Sequence, residues 1–527
     1  MPMQTLMNIK EEAGNMKRRR LLSILLSLCM VVALMPQTVS AAGASDSTPS
    51  VSAYATKNQL MDGTFAPGSS GTAANIGMLE FGKNSEGDPL EWYILGRDSG
   101  VSGDNTIIFA AGPIVKGQVF EDDYENNKGY DSGWGCTYPE SRNITVVHPN
   151  HYGASDVRSV LNSIAGDTGY FTLAQQNLMN KTLVKSSDTY NAESYTTEDK
   201  LYLLKGDFDA KVIYAGTDNS TAIARESYWS KAASAFWLRS TLIFNGDASL
   251  VLSVTPNDKV NADMLNNKLA VCPASNLDLS DALFASAAKT AGSEPVYGTV
   301  SSGDAMTLRL DGSEKNPGMV TYNEKENCIT AVTGSSEGSV SLNVQGKNGT
   351  SDWYYSIPVR GTETVTLSEI RSALGLPSDI SWAECRIWLE TADEDGMIYA
   401  VNMSEAEYDK IKKEQAITAV RSIKTTVTLT TGNIKRGIKV NVKIPALKKA
   451  DKTGIIIYRS LKKNSGYAVY KKVKTSGASY TVTNTLNVKG SRLVKSKRYY
   501  YKARVYTVID GKTYYGPMSD VKYMKAK

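Results

Sequence analysis

Side chains able to do chemistry are few and unevenly placed. Histidine occurs twice in 527 residues, as His148 and His151 in the run His148-Pro149-Asn150-His151. Three residues apart in a loop, both imidazoles could reach one metal ion. A zinc site needs further ligands at set spacing, however, and neither His-Glu-x-x-His nor Cys-x-x-Cys is present. Two surface loop histidines are the plainer reading. Glu121, Asp122 and Asp123, with Tyr124 and Glu125, offer hard oxygens for Ca²⁺ or an acid pair for glycoside hydrolysis. Their spacing fits no calcium loop, which leaves a solvated acidic turn as the alternative. Trp134 lies nearby in the same stretch and joins these residues as a ligand-contact candidate. Arg239, beside Trp237, could stack and fork onto an anion, or simply anchor a strand. No Gly-x-Ser-x-Gly elbow and no phosphate-cradling glycine loop occurs. The residue types therefore point to binding before catalysis, with no metal and no cofactor expected.

Cysteine adds structure more than chemistry. Cys136, Cys272, Cys328 and Cys385 remain once Cys29 leaves with a leader. One disulfide in each of two domains is the simplest of three connectivities, with free buried thiols as the alternative. Cys136 could also pair with His148 or His151 as an activated thiolate, since a nucleophilic cysteine needs a base.

The elements that must position these groups are mostly strands. Short strands are expected over 76–82, 90–95 and 106–111, followed by a long loop from 112 to 154 whose length suggests function. Val157, Val160, Leu161 and Ile164 share one helical face, with Ser155 or Asp156 as cap, and Thr172 heads a second helix over 173–179. Leu201 to Leu204 is a buried segment. Phe236–Ser240 and Ser249–Thr255 alternate as strands, and Leu269–Leu277 closes the domain. From Asp304 to Met403 strands recur at about 8 to 12 residues, a sandwich pattern, with one helix over 367–374. A further strand array runs from Lys439 to Tyr523.

Charge divides the chain more sharply than any motif. Residues 416–527 hold 26 Lys and Arg against the acids Asp451, Asp510 and Asp520, a net of +23, whereas the whole chain is +5. The first 415 residues must therefore carry −18, so a positive module is joined to a negative body.

The N-terminus predicts export. Lys17–Arg20 is a basic cluster, Leu21–Met35 an apolar run too short for a confident span, and Val39-Ser40-Ala41 a small-residue cleavage site used after Ala41 or Ala42. Met16, directly before the basic cluster, is an alternative start to Met1. With no later apolar stretch of spanning length, no transmembrane anchor is expected after cleavage. The expected organisation is a signal peptide over 1–41, a flexible spacer over 42–75, an α+β domain over 76–287, a linker over 288–303, a sandwich over 304–403, a helical linker over 404–415 and a basic sandwich over 416–527.

Residues 416–527 resemble a fibronectin type III domain of secreted Gram-positive proteins. The resemblance rests on Leu493 six positions before Tyr499, followed by alternating Tyr501, Ala503 and Val505. It implies a corner tyrosine bonded to backbone, although the usual strand-B Trp is absent, with Val442 or Ile444 near its place. Residues 76–287 resemble a domain of unknown function in secreted Clostridia-type proteins, especially of gut Lachnospiraceae. Its carriers are Leu90–Leu95, Ser155–Arg158 with Leu161-Asn162, Phe236–Ser240 and Ala270–Leu277. The last two blocks are also similar to the closing strands of C-type-lectin-like folds. The middle segment resembles an Ig-like companion.

The expected fold class is thus a multidomain, mainly β protein: an α+β, C-type-lectin-like N-terminal domain followed by two β-sandwiches. The expected function is a secreted or wall-associated binding protein. Its partner would be an anionic cell-wall polymer or glycan, which the basic lysines and tyrosines suit, and nucleic acid is not expected outside the cell. A secreted glycan- or peptide-directed hydrolase and a structural component of an extracellular assembly are the alternatives.

Overall fold

The computed structural model describes residues 53–65, 77–122, 130–131, 136–138, 144, 146–206, 212–217, 221–224, 234–244, 247–255, 260–300, 304–336, 338–349, 351–431, 435–444, 453–474, 478–486 and 490–527. All belong to the unit Pro49–Lys527. The protein is mainly β and multidomain, built from several sheets.

Two five-stranded sheets frame the N-terminal region. One runs Leu201–Tyr202, Ala274–Asp278, Asn105–Ala110, Pro89–Gly96 and Met78–Lys83; the other runs Val260–Met264, Asp247–Val254, Phe236–Phe244, Leu269–Val271 and Val115–Gln118. The central strand Asn105–Ala110 is buried along its whole length, as a strand covered on both faces requires. The helix Asp156–Gly166 lays Val157, Leu161 and Ile164 on this core, and Ser155 Oγ accepts the N–H of Arg158 as its cap. Leu173–Leu178 begins at a reciprocal box between Thr172 and Gln175. Both helices start at the capping residues the sequence offers.

The boundary between the first and second regions differs from the expectation. Tyr54–Thr56 and the helix Lys57–Met61 lie within the stretch read as a flexible spacer, and Val296–Val300 lies within the expected linker. All three are built structure. One eight-stranded sheet runs Tyr54–Thr56, Ala282–Ser286, Thr307–Asp311, Ile398–Asn402, Arg386–Ala392, Val340–Asn348, Ser351–Val359 and Val296–Val300. It therefore takes strands from both sides of the predicted 287/304 division. Apolar burial explains this: Ala55, Leu60 and Phe65 fill the first core, and Met306, Leu308, Leu310 and Met397 reach it from the second region. A three-stranded sheet, Gly318–Asn323, Cys328–Thr333 and Thr362–Thr366, completes the middle region.

A buried ionic network lies in that shared sheet. Arg309 Nε bonds Glu390 Oε2 at 3.1 Å, and its other nitrogens bond the carbonyls of Ser286 (2.7 Å) and Ala288 (2.6 Å). Glu390 also accepts from Thr290 Oγ1 at 2.6 Å and from the Trp388 indole. A charge pair removed from water survives only when its remaining donors and lone pairs are met, and here they are met across the predicted boundary.

The expected linker 404–415 is helical, but the helix continues as Glu405–Ser422. Ile411 packs in the middle core and Val420 in the C-terminal one, so it belongs to both. Beyond it, Thr426–Thr430, Ile438–Lys443 and Ser479–Asn484 form one antiparallel sheet. Ala468–Lys474, Thr453–Ser460, Arg498–Ile509 and Lys512–Tyr515 form the second, with Lys522–Lys525 also on Arg498–Ile509. Leu493 and Tyr499 are buried between them, and Tyr499 Oη accepts the N–H of Val494 at 2.9 Å. This is the corner bond expected of Tyr499.

The disulfides expected in each domain are not formed at the described cysteines: Cys272, Cys328 and Cys385 are buried free thiols. Cys272 belongs to the N-terminal core, and burial holds its thiol protonated. Cys385 donates to Ser381 O, and burial pushes it up to about 12. Each is packed as a small buried hydrophobe. The side chain of Cys136 lies outside the described residues.

Candidate functional site

His148 and His151 sit in a turn after Val146–Val147 and are tied by the bond from His151 N to His148 O. They are buried, not surface groups. His151 stacks on Tyr195 with ring centroids 3.9 Å apart, and His148 lies on Tyr190 at 3.3 Å. The rings of the two histidines thus face different partners. His151 Nε2 is 2.9 Å from Tyr138 Oη, whose own proton goes to Asp188 Oδ2 at 2.7 Å. A tyrosine has one proton to give, so His151 must carry its proton on Nε2. Its Nδ1 is then a bare acceptor, buried and without a partner in the structure. Burial pushes His151 down to about 4, outweighing the pull of Asp188 in the other direction, and Arg158 adds to the depression. His148 is lowered for the same first reason.

The acidic residues divide. Asp123 and Trp134 lie outside the described residues. Glu121 and Asp122 come within 4.8 Å of Asp156 through their carboxylate oxygens, a donor set of the type hard cations take. Glu121 is buried, Asp122 exposed. Asp156 meanwhile serves the framework, because it opens a helix, where negative charge is favoured, and accepts the N–H of Asp122 at 3.0 Å.

Trp237 and Arg239 prove to be framework residues. Trp237 is fully buried, packs edge-on against Phe120 and donates from Nε1 to Gln118 O at 2.8 Å, so it offers no face to a ligand. This corrects its expected ligand role. Arg239 is also buried. Its Nη1 bonds Leu203 O at 2.5 Å and its Nε approaches Lys185 O at 3.4 Å. It nevertheless floors a cavity of about 270 Å³ whose other walls include Ser186, Thr189, Lys205, Ser240 and Thr241. Sequence reasoning passed over these hydroxyls, and Tyr138, Asp188 and Tyr195 with them. A signal existed: Thr182–Asp188 alternates, but its buried set is Thr182, Val184, Ser186 and Asp188, mostly polar.

The basic module presents a different kind of surface. Strand register places Lys472, Lys474, Arg498, Lys502, Arg504 and Lys525 on the outward face of its larger sheet, with Tyr458, Tyr500, Tyr506, Tyr515 and Tyr523 among them. No acid occupies an outward position of these described strands. Several cations lie over rings: Arg504 over Tyr515 at 3.8 Å, Lys502 over Tyr467 at 4.3 Å, Lys472 over Tyr506 at 4.5 Å and Arg498 over Tyr523 at 5.2 Å. The Tyr506 ring can cross the neighbouring strand because Gly454 stands there; a Cβ would meet that ring at 2.7 Å. Same-face residues along a strand are about 6.8 Å apart, so the charges form a row.

No protein family model matches the chain, and no curated protein does. Among solved structures, part of the chain is similar to the chicken interferon gamma receptor alpha chain, with 10% identity and a TM-score of 0.17 over 40% of this chain and 96% of that one. It is similar also to a chain of a cytokine receptor complex, with 11% identity and a TM-score of 0.18 over 40% of this chain and 95% of that one. At those scores the likenesses bear no weight; the strand order and corner bond described above carry the sandwich assignment.

Proposed function

We propose that this chain is an exported, envelope-associated binding protein whose C-terminal sandwich holds an anionic polymer while the N-terminal region recognises a ligand. The carrying observation is the outward sheet face of Lys472, Arg498, Lys502 and Arg504, interleaved with tyrosines and free of acids at its described outward positions. Opposed rows of charge attract over a Debye length of about 8 Å at physiological salt, and ring stacking holds the cations in place before the polymer arrives. Export is supported by the basic, apolar and small-residue order of Lys17 to Ala41. The reading takes the N-terminal region as a C-type-lectin-like module of the Clostridia-type family and the middle region as an Ig-like spacer. The last module is read as a fibronectin type III domain of the Gram-positive secreted kind.

The test uses the full mature chain and washed Gram-positive cell walls carrying teichoic acid. Binding is expected at low salt, with release as NaCl rises toward about 0.5 M. Replacing Lys502 and Arg504 together with Ala should weaken binding at least about tenfold at low salt. Salt-independent retention, or no binding, refutes the reading.

A further inference from the structure

Among the described residues, the strand Thr182–Asp188 pairs along one edge only, with Glu193–Asp199. Its other edge faces Phe236–Phe244 without a ladder. Single side-chain bonds span the gap: Arg239 Nε to Lys185 O at 3.4 Å, Thr241 Oγ1 to Ser187 O at 3.3 Å and the Thr189 and Thr241 hydroxyls at 2.8 Å. One strand edge held off the side chains of an interior strand in this way leaves the 270 Å³ cavity lined by Arg239.

The chemistry of its walls is consistent. Ser186 is 3% exposed, and its hydroxyl has no partner in the structure. A buried hydroxyl left unpaired is costly, and a bound ligand that pairs with it recovers that cost. Arg239 and Lys205 both line the space, while no carboxylate among the described residues does. The nearby acids are committed elsewhere: Asp188 accepts from Tyr138 and Asn191, and Asp199 from Arg158 and Thr197. Leu242 and Leu252 add an apolar wall. Drug-sized sites begin near 300 Å³, so this one has room for about one six-membered ring.

We propose that the cavity binds a single sugar-acid residue, its carboxylate toward Lys205 and within the field of the buried Arg239, its hydroxyls toward Ser186, Thr189 and Ser240, and its C–H face on the leucines. This rests on the N-terminal region being a recognition module, and it is independent of the basic sandwich.

Calorimetric titration of the full mature chain with D-glucuronate and, separately, D-glucose tests it at constant ionic strength. Glucuronate should saturate the protein and bind at least about tenfold more tightly than glucose, equivalent to about 1.4 kcal/mol. Ser186→Ala should weaken glucuronate binding about fivefold. Lys205→Gln, at a partly exposed position, should narrow the preference over glucose to about threefold or less. Unchanged near- and far-ultraviolet circular dichroism checks that both variants fold. Absence of saturation, equal affinity for the two sugars, or indifference to both substitutions overturns the proposal. The Lys502→Ala, Arg504→Ala chain separates the two readings. If it loses wall binding but keeps glucuronate, both stand; if it loses glucuronate too, the acid was held by the basic face and the cavity assignment falls.

Discussion

Arginine is used in two opposite ways in this protein. Arg158, Arg239 and Arg309 are withdrawn from water, and each is met by fixed acceptors: Asp199 and Gly153 O, Leu203 O, and Glu390 with two carbonyls. Arg498 and Arg504, on the C-terminal sheet, rest on tyrosine faces and keep solvent contact. A buried guanidinium organises the chain around it, because every unmet donor there is costly. A guanidinium stacked on an exposed ring is oriented while remaining free to meet an anion. Composition counts both kinds alike, but only the second kind contributes a surface field.

The largest expected effect tests the buried side of this contrast. Arg309→Met leaves Glu390 in the shared sheet with Thr290 and Trp388 as its remaining described partners. An uncompensated buried charge costs about 3 to 5 kcal/mol. Urea unfolding followed by tryptophan fluorescence should show a loss of that size. A loss below about 1 kcal/mol would place Arg309 with surface pairs and remove the distinction.

Acid should separate the regions next. His151 sits at about 4 in the folded protein against an ordinary 6.5. The unfolded chain therefore binds more protons between those values, and stability rises with pH across them. The contribution is full above 6.5, is lost progressively as pH falls toward 4, and amounts to roughly 3 kcal/mol. Asp188, Arg158, Tyr138 and Tyr195 face the ring, and none supplies a partner for Nδ1. Residues 416–527 contain no histidine. Hydrogen exchange at pH 4.5 against pH 7, corrected for intrinsic rates, should show amides in 182–199 losing protection while those in 498–509 hold theirs. Equal loss in both would show that His151 does not control the local stability.

What the sequence made legible follows the range of the interactions. Ser155 and Thr172 act within one helical turn, and both cap the helices the sequence expects them to head; Thr366 caps the expected helix Leu367–Leu374 over the same short range. Tyr499 and Leu493 carry their roles in a six-residue interval. The pairing of Tyr54–Thr56 with Ala282–Ser286 joins residues more than 200 apart, and nothing in either trio of side chains encodes the other. The same holds for the cavity. Arg239 could be singled out by type, but Ser186 and Thr189 are ordinary residues until Thr182–Asp188 is set against Phe236–Phe244. An even cysteine number suggests pairing, whereas the three described thiols are buried and free, the alternative the sequence also leaves open.

The smallest effect on stability tests the exposed side. Arg504 spans Tyr515 and Tyr458 and donates from Nε to Tyr458 Oη at 3.0 Å, with no acid paired to it among the described residues. Arg504→Met keeps much of the aliphatic cover over Tyr515 and removes only the charge and that bond. Exposed cation–ring contacts contribute about 0.5 to 1 kcal/mol, and the methionine sulfur recovers part of it, so unfolding should shift by no more than about 0.5 kcal/mol. Wall binding should nevertheless weaken at low salt and converge with the unsubstituted chain as salt rises, because the lost term is electrostatic. The informative quantity is the ratio of the two effects. If Arg504→Met destabilises the sandwich as strongly as Arg309→Met destabilises the middle region, the outward row is framework after all. If stability holds while binding falls, burial alone has divided one residue type into two uses.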